Sequence, residues 1–163
     1  SSFEMEQIIP FDNPEKFTDP IWEAANAHQA GDYETAYQLI EKVLIADLRC
    51  LDAHAHLGAW DLNQNDASGY TLDRARRHYE VGIGIGELSF PSGCNIVLPW
   101  IRIDNRPFLR CLHGYGLCLW RMGQFEQARQ VFERMLWLNP SDNQGARFLL
   151  DEVEARRPWH DTE

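Results

Sequence analysis

No stretch of this chain approaches the roughly 20 consecutive apolar residues that a membrane-spanning helix needs. Positive charge is scarce: 15 Lys and Arg stand against 25 Asp and Glu, a formal net charge of -10. That balance, with a sequence pI near 5.0, disfavours attraction to nucleic acid or to an anionic membrane surface. The opening SSFEMEQIIP has no basic start followed by an apolar run, so it does not read as a secretory signal. It begins on Ser1 rather than Met, which leaves open a longer parent chain whose targeting segment precedes it. The four cysteines, Cys50, Cys94, Cys111 and Cys118, lack CxxC spacing, and the closest two are seven residues apart. On one helix those two would lie ~10 Å apart, too far for a disulfide. Buried, reduced thiols of a cytoplasmic protein are expected, with no metal and no cofactor. No strained nucleophile turn of the GxSxG kind is present, and no catalytic activity is expected.

What the chain does have is size and spacing. At 163 residues, 44% hydrophobic and 12% aromatic, it is long enough for one domain with a continuous core. The segment LHGYGLCLWRMGQFEQARQVFERMLWLNP, residues 112–140, holds the most specific pattern. Counting from Leu112, Tyr115-Gly116 follow at three and four residues, Gly123 at eleven, Ala128 at sixteen, Phe132 at twenty and Pro140 at twenty-eight. This pattern resembles the 34-residue tetratricopeptide repeat, a pair of antiparallel helices. The resemblance implies an all-α, right-handed superhelix of about three helix-turn-helix repeats closed by a capping helix. Its usual work is holding another protein in a concave groove.

The same spacing recurs along the chain. In residues 21–44 Gly31 takes the turn place, Ala36 the small-residue place and Ile40 the place of Phe132. Asp19 reads as an N-cap with Pro20 in the first turn. In the next repeat Leu57-Gly58 match Tyr115-Gly116, while Ala75 and Tyr79 match Ala128 and Phe132. Small residues at Gly58, Ala75, Gly116 and Ala128 let two helices approach closely, and an aromatic four residues on fills the space beside them. Ala36 to Ala75 is 39 residues, 34 plus five, and Ala75 to Ala128 is 53, 34 plus nineteen. The five fall in LNQNDASGY, between the helices of repeat two. The nineteen fall near residues 90–108, a Pro-containing, β-branched insertion that reads as loop or extended chain. The expected organisation is an extended arm over 1–17 and one domain over 18–157, with repeats over about 18–50, 51–89 and 109–142. A cap helix over 143–157 should turn Phe148, Leu149 and Val153 inward.

Two motifs invite chemistry and carry little of it. His54 and His56, two residues apart on a helix, point about 200° away from each other, so one should face the groove and the other lie between helices. GIGIG at 82–86 has the alternating glycines of a phosphate loop but no following lysine, and it ends a helix rather than starting one. Close helix packing is the expected reason for it.

The resemblance assigns the concave surface to positions two, five, nine and twelve of each repeat. These are Thr18, Ile21, Ala25 and His28, then Asp52, Ala55, Ala59 and Leu62. Arg110, His113, Leu117 and Trp120 follow, and Gln144, Arg147, Asp151 and Glu154 from the cap. The expected peptide-binding residues are Arg110, His113, Leu117, Trp120, Arg147, Asp151, Asp52 and His28, with forked cations and a flat aromatic ready for an acidic, partly apolar peptide. Ile21 and Ala25 stand where the chaperone-tail-binding subclass has Lys and Asn, so that partner is not expected. Between residues 100 and 134 six Arg face three acids. Arg102 and Arg106, beside an Asn105 N-cap with Pro107 inside the helix, form a candidate anion site. The alternative is internal pairing with Asp104, Glu87 or the acidic arm. A protein or peptide partner is expected, and neither nucleic acid nor membrane. Two alternatives stand beside it. One is a homodimer using exposed Trp137 and Trp159, with the groove filled by the insertion. The other is a small-molecule or enzyme site around the 90–110 insertion, using Arg106, Arg110 and His113.

Overall fold

A computed structural model describes residues 1–64, 66–93 and 95–160, so Cys94 lies outside the described residues. Seven α-helices make up these residues: α1 (Pro20–Gln29), α2 (Tyr33–Ala46), α3 (Leu51–Leu62), α4 (Tyr70–Glu87), α5 (Arg106–Arg121), α6 (Phe125–Leu138) and α7 (Ala146–Glu154). Among the described residues there is no strand, only two isolated bridges, and no helix is long and apolar enough to cross a membrane. The ends are chemically marked. Asp19 caps α1 by accepting from the Trp22 N–H at 2.8 Å, with Pro20 in the first turn, and Asp32 accepts from the Thr35 N–H at 3.2 Å at the start of α2. The tight turns α1–α2 and α5–α6 pass through Gly31 and Gly123 at φ 84° and 74°, a region that favours glycine. The α3–α4 connection is longer, the place where the sequence carries five extra residues.

Consecutive helices pair as α1–α2, α3–α4 and α5–α6, and α5 also lies against both α3 and α4, while α7 packs chiefly on α6. The crossings are close because one helix offers a small residue and its partner an aromatic or branched one. A Cβ on Gly58 would come within 2.6 Å of the Tyr79 ring, and one on Gly116 would overlap the ring of Phe132. Ala24 and Ile40 occupy the corresponding places in the first pair, both buried. The glycines of residues 82–86 lie within α4. Gly82 and Gly86, one helical turn apart, face Cys111 and Phe108 of α5, whereas Gly84 faces open space. Helix packing therefore accounts for Gly82 and Gly86 of the GIGIG motif.

Two hydrophobic clusters result. The smaller joins α1 and α2 to Cys50, Ala53 and Trp60, and the larger runs from Leu51 and Ala55 through α4, α5 and α6 to Ala146 and Val153. Phe148 departs from expectation. It is largely exposed, beneath the Arg147 guanidinium at 4.8 Å, because α7 turns its Ala146 and Val153 edge to α6.

The insertion and the N-terminal arm hold each other. Ser2 and Val97 form a parallel bridge, with the Phe3 N–H donating to the Val97 carbonyl at 2.8 Å. The insertion is anchored at its other side by Leu98, whose N–H donates to the Leu138 carbonyl at 2.6 Å. Asn105 stands at the N-cap position of α5 but does not cap it. Its fully buried side chain accepts from the Met5 N–H at 2.8 Å and donates to the carbonyls of Phe3 and Pro99 at 3.0 and 3.1 Å.

Gly114→Ala tests the packing. In an ordinary helix interior alanine gains up to about 1 kcal/mol over glycine. Here the new methyl would fall within the Tyr79 ring. Overpacking of this kind costs about 1–3 kcal/mol, so urea denaturation should show net destabilisation. A stabilised variant would mean that α4 and α5 do not meet at this point.

Candidate functional site

A cavity of about 360 Å³ opens between α3 and α5. Ala55, His56, Ala59, Leu62 and Asn63 form one wall, Arg110, His113, Gly114 and Leu117 the other, with Tyr79 of α4 between them. Small side chains leave the space and Tyr79, buried to 3% exposure, closes its base. No described residue of 90–108 lines the cavity. The idea that the insertion fills the groove is therefore corrected: its chain is engaged with the arm and with Leu138, on another side. It approaches the site at Trp100, whose ring lies 5.6 Å from the Arg110 guanidinium carbon and 5.0 Å from that of Arg106.

The polar corner of the cavity is built on Asp52. Four residues on, the His56 Nδ1 lies 2.8 Å from the Asp52 carbonyl and 3.4 Å from its Oδ1. Arg110 Nη1 is 3.9 Å from the same Oδ1. That oxygen is buried and has no hydrogen-bond partner among the described residues. With Nδ1 committed to Asp52, the nitrogen His56 has left for a ligand is Nε2. Burial pushes the His56 imidazole down, but hydrogen bonding to Asp52 and the carboxylate charge outweigh it and hold His56 above its ordinary 6.5. His113 is lowered by burial, partly offset by the Asp142 carboxylate. Thiol chemistry is suppressed at the three described cysteines: burial pushes Cys50 up to about 11 and Cys118 up to about 12, and raises Cys111 as well.

Of the groove residues read from the sequence, Ala55, Ala59, Leu62, Arg110, His113 and Leu117 come together here. Asp52 lies behind them, as the anchor for His56 and Arg110. Trp120 is a correction: it is buried at 5% exposure, donates its indole N–H to the Arg157 carbonyl at 2.7 Å and meets Trp159 edge-on at 4.9 Å. The segment after α7 folds back onto it, so it offers no open platform, and Trp159 does not join Trp137 in an exposed patch. His28 stacks flat on Trp60 at 4.3 Å, in an aromatic cluster with Tyr33 and Tyr37, and does not itself line the cavity. Ile21 is buried core. Arg147 and Asp151 are exposed on α7, which packs on α6, so they do not line the cavity, and Arg147 approaches Asp142 at 3.9 Å.

The candidate anion site is also corrected. Arg102 pairs with Glu4 of the arm at 3.7 Å, and the Arg106 Nε–H donates to the Trp100 carbonyl at 2.9 Å, so each guanidinium serves the insertion. Glu87 pairs instead with Arg134 at 2.6 Å. Of the two neighbouring histidines, His56 faces the cavity while His54 is buried beside the Leu48 carbonyl at 2.8 Å. Among the described residues no group of three metal-binding side chains converges. His56, Asn63 and Tyr79 lie outside the four groove positions of the repeat, and the signal for His56 was its spacing of four from Asp52 on one helical face.

A paired substitution separates clasp from surface charge. Asn105→Ala strands the buried Met5 N–H and Phe3 carbonyl, at about 1–3 kcal/mol for such orphaned groups. Arg102→Ala removes an exposed pair worth about 0–1 kcal/mol. Thermal unfolding should therefore drop clearly for the first and barely for the second, and equal losses would contradict this division of roles.

No protein-family model matches the chain, and no curated protein or solved structure matches it at a significant level.

Proposed function

We propose that the chain is a tetratricopeptide-like, non-catalytic interaction module of the cytoplasm that holds a peptide or helix of a partner protein on its α3–α5 concave face. The observation that carries this reading is the cavity itself. Six residues that the repeat register assigned to the groove line it together: Ala55, Ala59, Leu62, Arg110, His113 and Leu117. Its volume of about 360 Å³ suits an anchoring side chain or chain end rather than a whole segment. The remaining contact would come from the rims, where exposed polar groups set register and orientation. The stacking of α5 on both α3 and α4 supports a superhelical arrangement of the helix pairs.

Homodimerisation is a second reading, supported by Trp137. Its side chain is 75% exposed, in a concavity shared with Phe90, Ile96, Val97 and Leu138. A concentration-dependent mass in sedimentation that Trp137→Ser abolishes would favour it.

For the groove, peptides selected from a displayed random library should lose at least about tenfold in affinity, about 1.4 kcal/mol, to Ala59→Trp. Ala59 is a partly exposed wall residue, so the melting temperature should stay near that of the unmodified chain. Selected peptides that bind the variant equally well would refute the groove reading.

A further inference from the structure

We infer that the α3–α5 cavity seats one carboxylate of the partner, held jointly by the Arg110 guanidinium and the protonated His56 imidazole, so that binding takes up a proton. This rests on the groove reading and specifies its ligand. The polar groups lining the cavity are the Arg110 fork, His56, His113, Asn63 and Tyr79, and only Arg110 carries a fixed charge. The carboxylate in the corner, Asp52, does not offer its Oδ1 to a ligand, because that atom is sealed from solvent. Arg110 is different, with a side chain 48% exposed and 3.9 Å from Asp52, longer than a closed ion pair. A small movement of its fork reaches an anion in the cavity without breaking a hydrogen bond. The other walls, Ala55, Ala59, Leu62, Leu117 and Gly114, are apolar and strengthen any charge interaction inside.

Charge balance then requires the proton. Asp52 and Arg110 neutralise each other, so an entering carboxylate meets a corner with no net charge unless His56 is protonated. His56 is suited to this: Asp52 holds its Nδ1 and favours the cation, leaving Nε2–H to donate to the ligand. The charged and titratable groups around it are Asp52 on its own helix, Arg110 and His113 on α5, His28 on α1 and Tyr79 on α4. Burial lowers His28 and His113, which disfavours their cations, and raises Tyr79, which stays neutral. Arg110 is charged throughout, so His56 supplies the proton linkage. Its imidazole is already above 6.5 in the free protein, and a bound carboxylate raises it further. Affinity should therefore climb as pH falls from about 8 to about 6 and level off once His56 is protonated in the free chain. Asp52 acts as a positioning residue.

The test uses the isotope-labelled full chain and follows the His56 ring resonances by NMR. The probes are N-acetylglutamic acid α-methylamide, which carries a side-chain carboxylate, N-acetylleucine, which carries a chain-terminal one, and the neutral glutamine counterpart of the first. At least one acid should shift His56 saturably, bind about fivefold more tightly at pH 6 than at pH 8 and raise the His56 midpoint by about one unit. The stronger acid identifies the source of the carboxylate. Arg110→Gln should remove saturable binding, and Asp52→Asn should lower the His56 midpoint and move the pH window down with it. Binding that is independent of pH, equal binding of the neutral probe, or no saturable shift with either acid would overturn the inference. Library peptides that Ala59→Trp blocks but that lack a carboxylate and ignore pH would sink it while leaving the groove reading intact. Peptides indifferent to Ala59→Trp, with acids still binding at His56, would do the reverse.

Discussion

The ring of Tyr79 sets the distance between α3 and α5. It reaches out of α4 into the notch left by Gly58 on one helix and Gly114 on the other, so three helices share one side chain. Neither notch tolerates a methyl group, which makes the separation of α3 and α5 a matter of hard contact. The cavity follows from that separation. Tyr79 fills its base, and Ala55, Ala59 and Gly114 are too small to fill the remainder. Packing and site are thus one feature: the side chain that joins the second helix pair to the third also holds the groove open.

Helix α3 is the other shared part. Cys50 and Leu51 begin a stretch whose buried residues divide between two clusters, with Ala53 and Trp60 turned to α1 and α2 and Leu51, Ala55 and Leu62 turned to α5 and α4. That leaves α3 only a narrow strip for the groove, where Asp52 and His56 stand one turn apart. Its polar interior contact is Asp61, buried beneath the Arg74 fork with both nitrogens on its oxygens and with His78 at 3.4 Å. A buried carboxylate held by two hydrogen bonds from a half-exposed arginine, with a third neighbour, fixes how α4 docks on α3.

Much of the helical layout was legible because it is periodic. The Ala36, Ala75 and Ala128 positions, and the Ile40, Tyr79 and Phe132 positions four residues on, are all buried at helix crossings. Caps at Asp19 and turns at Gly31 and Gly123 were readable for the same local reason. The site was readable only as far as the repeat register reaches, which covered Arg110, His113 and Leu117 but overstated Trp120. What covers Trp120 is the segment around Arg157 and Trp159, 37 or more residues distant, and no spacing within a repeat announces such a return. Asn105 was misread for a similar reason. Its sequence neighbours describe a helix cap, while its partners, Phe3 and Met5, lie about a hundred residues away. Arg102 joins that clasp through Glu4 of the arm, the internal pairing that stood as the alternative to an anion site, while Arg106 turns back on Trp100 within the insertion.

That clasp has a consequence for how the protein is made. The arm is synthesised well before its partner: Met5 finds its acceptor only on Asn105, 100 residues later. At about 5–20 residues per second, the apolar Phe3 and Met5 wait several seconds for the insertion, with only α3 and α4 to lie against. The three helix pairs, built from neighbouring contacts, have no such wait and assemble as they emerge. Sealing the arm onto the insertion is therefore a closing event in biogenesis. A nascent chain stalled before residue 105 would present α1–α4 already paired, with Phe3 and Met5 still lacking their clasp.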